Sequence, residues 1–110
     1  MRIAVFASGN GSNFTAIADA IRDGEVKGAT LALMFTDNAS AFVLERAKEA
    51  GVPTLHLSPK DFASKADFEA ALLHELAKHS IELIVLAGYM RIVGPTLLAA
   101  FPKKIINLHP

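Results

Sequence analysis

Short apolar runs alternating with amphipathic stretches set the strongest limit on what this chain can fold into. Residues 3–7, 30–36, 52–57, 81–87 and 103–110 each read as a strand, the third weaker because Pro53 can stand only at a strand's start. Between them apolar residues recur at spacings of three and four. Phe14, Ile17, Ala18 and Ile21 mark one helix and Phe68, Leu72 and Leu76 another that ends near His79, while between them residues 42–50 read as a helix with Phe42, Val43, Arg46, Ala47 and Ala50 on neighbouring faces. Gly94-Pro95-Thr96 opens a short fourth helix with proline near its first position. Ser12 or Asn13 is expected to cap the first helix and Gly24 to stop it, while Ser64 with Asp67 resembles a capping box. Strand and helix in strict alternation predict an α/β fold: a doubly wound, mostly parallel sheet with helices on both faces. Residues 81–87, apolar except for Glu82, are expected at its centre.

A chain of 110 residues is one domain at most, and 52% apolar residues suffice for a real core. Lys plus Arg number 11 and Asp plus Glu number 11, without a basic patch, which disfavours nucleic acid as a partner. With no cysteine there is no disulfide framework, thiolate nucleophile or cysteine-based metal site. The apolar start is too short for a signal segment and no stretch approaches a membrane span, so a cytoplasmic protein is expected.

In such a sheet the loops after the strands share one edge, where ligands bind. Three of them carry chemistry. Ser8-Gly9-Asn10-Gly11-Ser12-Asn13 feeds a helix N-terminus, whose free amides with Ser12 and Asn13 can cradle an anion. Phe14 stands where a dinucleotide fingerprint needs glycine and no Walker lysine follows, so a single phosphate fits better than a pyrophosphate. The same turn also reads as one needed only for geometry. Gly88-Tyr89-Met90-Arg91-Ile92-Val93 offers apolar walls and a few polar groups to a flat heteroaromatic ligand, or else belongs to the core, with Arg91 requiring a partner or solvent. Asn107 and His109, two apart on the last strand, point to the same face, pairing an amide donor with a group that titrates near neutrality. A lone histidine is commonly structural, and His56, His74 and His79 are given no role. His109 differs through its neighbour and the phosphate-type turn on the same edge.

Together these stretches resemble the glycinamide ribonucleotide transformylases, the folate-dependent phosphoribosylglycinamide formyltransferases of purine (IMP) synthesis. The resemblance is carried by residues 8–13, by Leu86-Ala87-Gly88-Tyr89-Met90-Arg91, by Ile106-Asn107-Leu108-His109-Pro110 and by Leu44-Glu45-Arg46-Ala47, and it covers the whole chain. It implies a Rossmann-like formyltransferase fold. It places Gly11, Ser12 and Asn13 on the phosphate of glycinamide ribonucleotide, and Met90, Arg91, Ile92 and Val93 along the folate pterin site. Asn107 falls on the formyl oxygen and His109 takes the proton-transfer role. Lys65 stands where related enzymes can carry an arginine touching folate; ammonium keeps the charge and loses the bidentate geometry. The implied donor is 10-formyltetrahydrofolate, and no metal or nucleophilic residue is needed. The substrate amine attacks the formyl carbon directly, and the tetrahedral oxyanion receives hydrogen bonds from Asn107 and protonated His109. One such donor is worth about 3–4 kcal/mol. A proton must then pass from the amine to the folate nitrogen, directly or through water.

Members of this family are nearly twice this length. The resemblance places beyond Pro110 an aspartate that pairs with the histidine, a folate loop, further strands and further phosphate contacts. Residues 1–110 are therefore expected to be a single N-terminal α/β portion, cut directly after the histidine. Alone it should have very low activity. Its last strand should leave apolar surface exposed, so that it self-associates or pairs with the remainder. Methionyl-tRNA formyltransferase shares the Asn-x-His arrangement, but would lack this phosphate turn and carry basic surface. Formyltetrahydrofolate hydrolase would carry an additional N-terminal domain. A mononucleotide-binding module without catalysis is the alternative of a different class.

Overall fold

The computed structural model describes residues 1–108. The elements run β1 (Arg2–Phe6), α1 (Ser12–Arg22), β2 (Thr30–Thr36), α2 (Val43–Glu49), β3 (Thr54–His56), a 3-10 turn (Pro59–Asp61), α3 (Lys65–Lys78), β4 (Leu83–Ala87), α4 (Pro95–Ala100) and β5 (Ile105–Leu108). The strands form one sheet in the order β3-β2-β1-β4-β5, and every pairing is parallel. The expected doubly wound fold is therefore the observed one. β4 is interior, between β1 and β5, while the middle strand is β1. Both read as unbroken apolar runs because both are covered on two faces. Hydrophobicity reports that burial and not the order imposed by the crossovers.

One face of the sheet packs Val5, Met34 and Val85 against Phe14 of α1 and Val43 and Ala47 of α2. The other packs Phe6, Phe35 and Ile84 against Phe68, Leu72 and Leu76 of α3 and Leu97 of α4. The predicted stripes of α1 and α3 thus face the sheet, whereas in that of α2 only Val43 and Ala47 are buried, Phe42 standing 54% exposed before the helix and Ala50 exposed after it. Ser64 caps α3 as expected, its Oγ accepting the Asp67 amide at 3.1 Å. At α1 the expected cap is replaced. Gly11, not Ser12 or Asn13, is the capping residue, in the left-handed region at φ 85°, and Ser12 already lies in the helix. A Cβ on Gly11 would stand 2.6 Å from Val43 Cγ2, so close approach of α2 and positive φ both select glycine here. At the β5 edge Ile106 is 46% and Leu108 38% exposed, the apolar surface expected of the last strand. Among the described residues no helix is long and apolar enough to cross a membrane.

Candidate functional site

The crossover after β1 leads to β2 on one side and the crossover after β4 leads to β5 on the other, so the chain parts between β1 and β4. Such a switch point opens a crevice at the carboxyl ends of the strands. The strand ends are stitched where they diverge: the Ser8 amide donates to the Gly88 carbonyl at 3.2 Å, and the Ala7 amide to the Phe35 carbonyl at 3.0 Å. Residues 8–13 and 88–93 are thereby brought side by side.

The first of these turns is shaped by α2. Arg46 Nε donates to the Asn10 carbonyl at 2.8 Å, Nη2 to Asn10 Oδ1 at 3.0 Å and Nη1 to Thr15 Oγ1 at 3.2 Å. The Val43 amide donates to the Gly9 carbonyl at 3.1 Å. The first backbone bond of α1 runs from the Thr15 amide to the Gly11 carbonyl, so the amides of Ser12, Asn13 and Phe14 precede any acceptor within the helix. The turn therefore offers an anion the positive end of an eleven-residue helix, with Gly11, Ser12 and Asn13 at its mouth.

Residues 88–94 are anchored from outside. Arg91, expected to need a partner or solvent, has a partner in Asp37 beyond the end of β2, Nε donating to Oδ2 at 2.7 Å, and its side chain also reaches solvent. Lys65 Nζ donates to the Ile92 carbonyl at 2.6 Å. Glu69, one turn further along α3 and only 3% exposed, accepts the Gly94 amide on Oε2 at 2.7 Å and the Leu97 amide on Oε1 at 3.0 Å. That carboxylate satisfies the first amides of α4, which would otherwise be buried without acceptors. Tyr89 turns inward, its ring edge-on to Phe6 with centroids 5.4 Å apart. Burial, reinforced by the Asp37 carboxylate, pushes its phenol above the ordinary value, so it is neutral across the physiological range. Met90 and Ile92 instead point their apolar side chains outward, each 82% exposed.

Between this loop and α3 lies a cleft of about 450 Å³, lined by Lys65, Phe68, Met90, Arg91, Ile92 and Val93 among others. It has apolar walls, two cations in Lys65 and Arg91 and the Glu69 carboxylate, which suits a flat ligand carrying a few polar groups. On the other side of Met90 and Arg91 a more polar hollow of about 510 Å³ is lined by Ser8, Asp37, His56, Ser58 and Lys60. All five residues expected at a folate site other than Asn107 thus meet in one cleft. Asn107 lines neither cavity. It is exposed on β5 opposite Leu86, on the strand face of Ile105, which packs toward α3 and α4. His109 lies outside the described residues. Among the described residues no group of three or more His, Cys, Asp or Glu side chains could hold a metal.

The residue types did not single out Asp37 or Glu69. Asp37 reads locally as a turn residue, although its place just past a parallel strand was a usable signal. Glu69 sits four residues after Lys65, beside the apolar stripe of α3, and that spacing was the only hint that both serve the same loop. In chemical terms the edge offers an anion cradle, a cleft for a flat ligand and, on the neighbouring strand, an amide. An anion at the turn and a flat ligand in the cleft would stand on the same edge of the sheet.

The formyl transferase family model matches residues 1–110. The phosphoribosylglycinamide formyltransferase of Bacillus subtilis (strain 168) is 49% identical over 109 residues, covering 99% of this chain and 55% of that protein. The enzyme of the same name from Escherichia coli (strain K12) is 40% identical over 110 residues, covering 100% and 51%. Glycinamide ribonucleotide transformylase 1 from Geobacillus kaustophilus superimposes with a TM-score of 0.95 at 52% identity, over 99% of this chain and 57% of that one. The chain spans about half the length of the relatives it matches.

Proposed function

The chain belongs to the formyl transferase family, and from that premise we propose that it carries the N-terminal part of a cytoplasmic phosphoribosylglycinamide formyltransferase. In this reading the formyl group passes from 10-formyltetrahydrofolate to the amine of glycinamide ribonucleotide, in the de novo synthesis of purines. One observation carries it: the turn 8–13, the loop 88–93 and Asn107 all lie at the carboxyl edge of the neighbouring strands β1, β4 and β5. The two substrates then have separate seats on one ledge.

Gly11, Ser12 and Asn13 hold the ribonucleotide phosphate against the start of α1. Lys65, Met90, Arg91, Ile92 and Val93 line the folate site, where loop carbonyls and amides address the edge of the pterin ring and apolar side chains its faces. The reaction needs no covalent intermediate with the protein. The amine's electron pair forms the new carbon–nitrogen bond, and the formyl oxygen takes up negative charge. The carbon–nitrogen bond to folate breaks as that nitrogen gains a proton. The Asn107 amide donates to the oxyanion and His109 transfers the proton. The family's remaining length supplies what these residues lack, above all a carboxylate to orient the histidine. A polypeptide limited to the 110 residues is accordingly expected to turn over very slowly.

The binding half of this reading is tested by titration of the whole polypeptide that carries this chain. Glycinamide ribonucleotide should bind, and adenosine monophosphate should not compete with it. Tight binding of the adenine nucleotide with none of glycinamide ribonucleotide would leave a mononucleotide-binding module instead.

A further inference from the structure

Ser8 and Asp37 take no part in the mechanism above, yet they close a ring of hydrogen bonds around the peptide joining Met90 and Arg91. The Met90 amide donates to Ser8 Oγ at 2.9 Å, the Ser8 hydroxyl donates to Asp37 Oδ1 at 2.8 Å, and Arg91 Nε donates to Asp37 Oδ2 at 2.7 Å. The ring leaves the loop at one residue and returns at the next. Both oxygens of Asp37 and both capacities of the Ser8 hydroxyl are used. Ser8 is 7% exposed and the Asp37 side chain 9%, so the Ser8–Asp37 bond is shielded from water, while the Arg91 side chain, 46% exposed, leaves its bond to Asp37 open to solvent on one side.

Tyr89 is packed on Phe6 and Phe35, but just beyond it apolar burial gives out, because Met90 and Ile92 face outward. Gly88, at φ 75°, adds no stiffness at its entry. Downstream, Lys65 and Glu69 hold residues 92 to 97. Between the packed Tyr89 and the Lys65 contact at Ile92, the side-chain hydrogen bonds that hold Met90 and Arg91 are those of the ring. Arg91 also lines both cavities, so its setting decides the wall that a ligand in the 450 Å³ cleft meets.

We propose that Ser8 and Asp37 are positioning residues that preset the backbone at Met90 and the Arg91 guanidinium for the folate cosubstrate, with no part in holding the ribonucleotide. This rests on the formyltransferase reading. A loop ordered beforehand spares the ligand the cost of ordering it, so the effect belongs in folate affinity.

The test uses the whole polypeptide with Ser8→Ala, Asp37→Asn and the pair combined. Asp37→Asn keeps side-chain volume and one acceptor oxygen, so the fold is retained. Kd is measured by calorimetry for 5-formyltetrahydrofolate, as an unreactive probe, and for glycinamide ribonucleotide. Asp37→Asn should weaken folate binding about tenfold while ribonucleotide Kd stays within about twofold, and the double variant should lose no more than Asp37→Asn alone. Unchanged folate affinity, equal weakening of both ligands, or additive losses would overturn the proposal. If the unaltered protein binds no folate, the formyltransferase reading fails by itself. Hydrogen exchange of the Met90 amide then decides the inference: faster exchange in Asp37→Asn supports the ring as the loop's anchor, and unchanged exchange refutes it.

Discussion

Tyr89 shows how far a residue's behaviour departs from its sequence label. It is the chain's single tyrosine and sits in the loop chosen for ligand binding, yet its ring packs inward on Phe6 and Phe35. Burial is the main cause of its raised pKa, with the Asp37 carboxylate adding to it and Arg91 partly offsetting it. A phenol harder to ionise folded than unfolded favours the folded state below its ordinary value of 10.0, and that contribution is lost as pH rises through the folded pKa. In an alkaline titration of the 110-residue polypeptide, phenolate absorbance near 295 nm should therefore rise together with loss of helical circular dichroism and not near pH 10. A free titration at the ordinary value in still-folded protein would place Tyr89 in solvent. The same residues mark the limits of legibility. Arg91's need for a partner could be read from its apolar neighbours, but Asp37, 54 residues away, could be named only once the fold had joined two strand ends.

At the scale of elements the sequence was most legible where local and tertiary demands agree. The stripe Phe68, Leu72, Leu76 and the Ser64 cap of α3 follow from spacing alone. The start of α1 does not, because Gly11 answers to a helix more than thirty residues away: Val43 fills the space where its Cβ would stand. Serine and asparagine cap helices well in isolation, but tertiary packing set this boundary. Gly11→Ala should therefore cost more than a change of propensity. Positive φ costs about 1–2 kcal/mol and forced overlap with Val43 about as much again, for a total of about 3 kcal/mol in urea denaturation. A loss under about 1 kcal/mol would mean that α2 yields easily and the turn is not held as described. Glu69 belongs to the same class of hidden demand. A carboxylate beside an apolar stripe looks like a helix-surface charge until α4 arrives with its unsatisfied amides.

For the whole molecule, strand order turns local motifs into a site. Two loops loaded with glycine and polar residues lie far apart in sequence, and the parting of the chain between β1 and β4 sets them side by side. The parallel sheet and its loaded edge were legible from the alternation of periods. The ranking of β4 above β1 was not, since both are covered on two faces. Asn107 lies on β5, clear of the cleft formed by the described residues, so formyl transfer is the property on which this reading stands or falls. The most direct measurement is steady-state transfer from 10-formyltetrahydrofolate to glycinamide ribonucleotide by the whole polypeptide, unaltered and with Asn107→Ala. The unaltered protein should form formylglycinamide ribonucleotide, and Asn107→Ala should lower kcat about 100- to 1000-fold, as expected for loss of one oxyanion donor. Absence of transfer by the unaltered protein at saturating substrates, or an undiminished rate in the variant, would contradict the account.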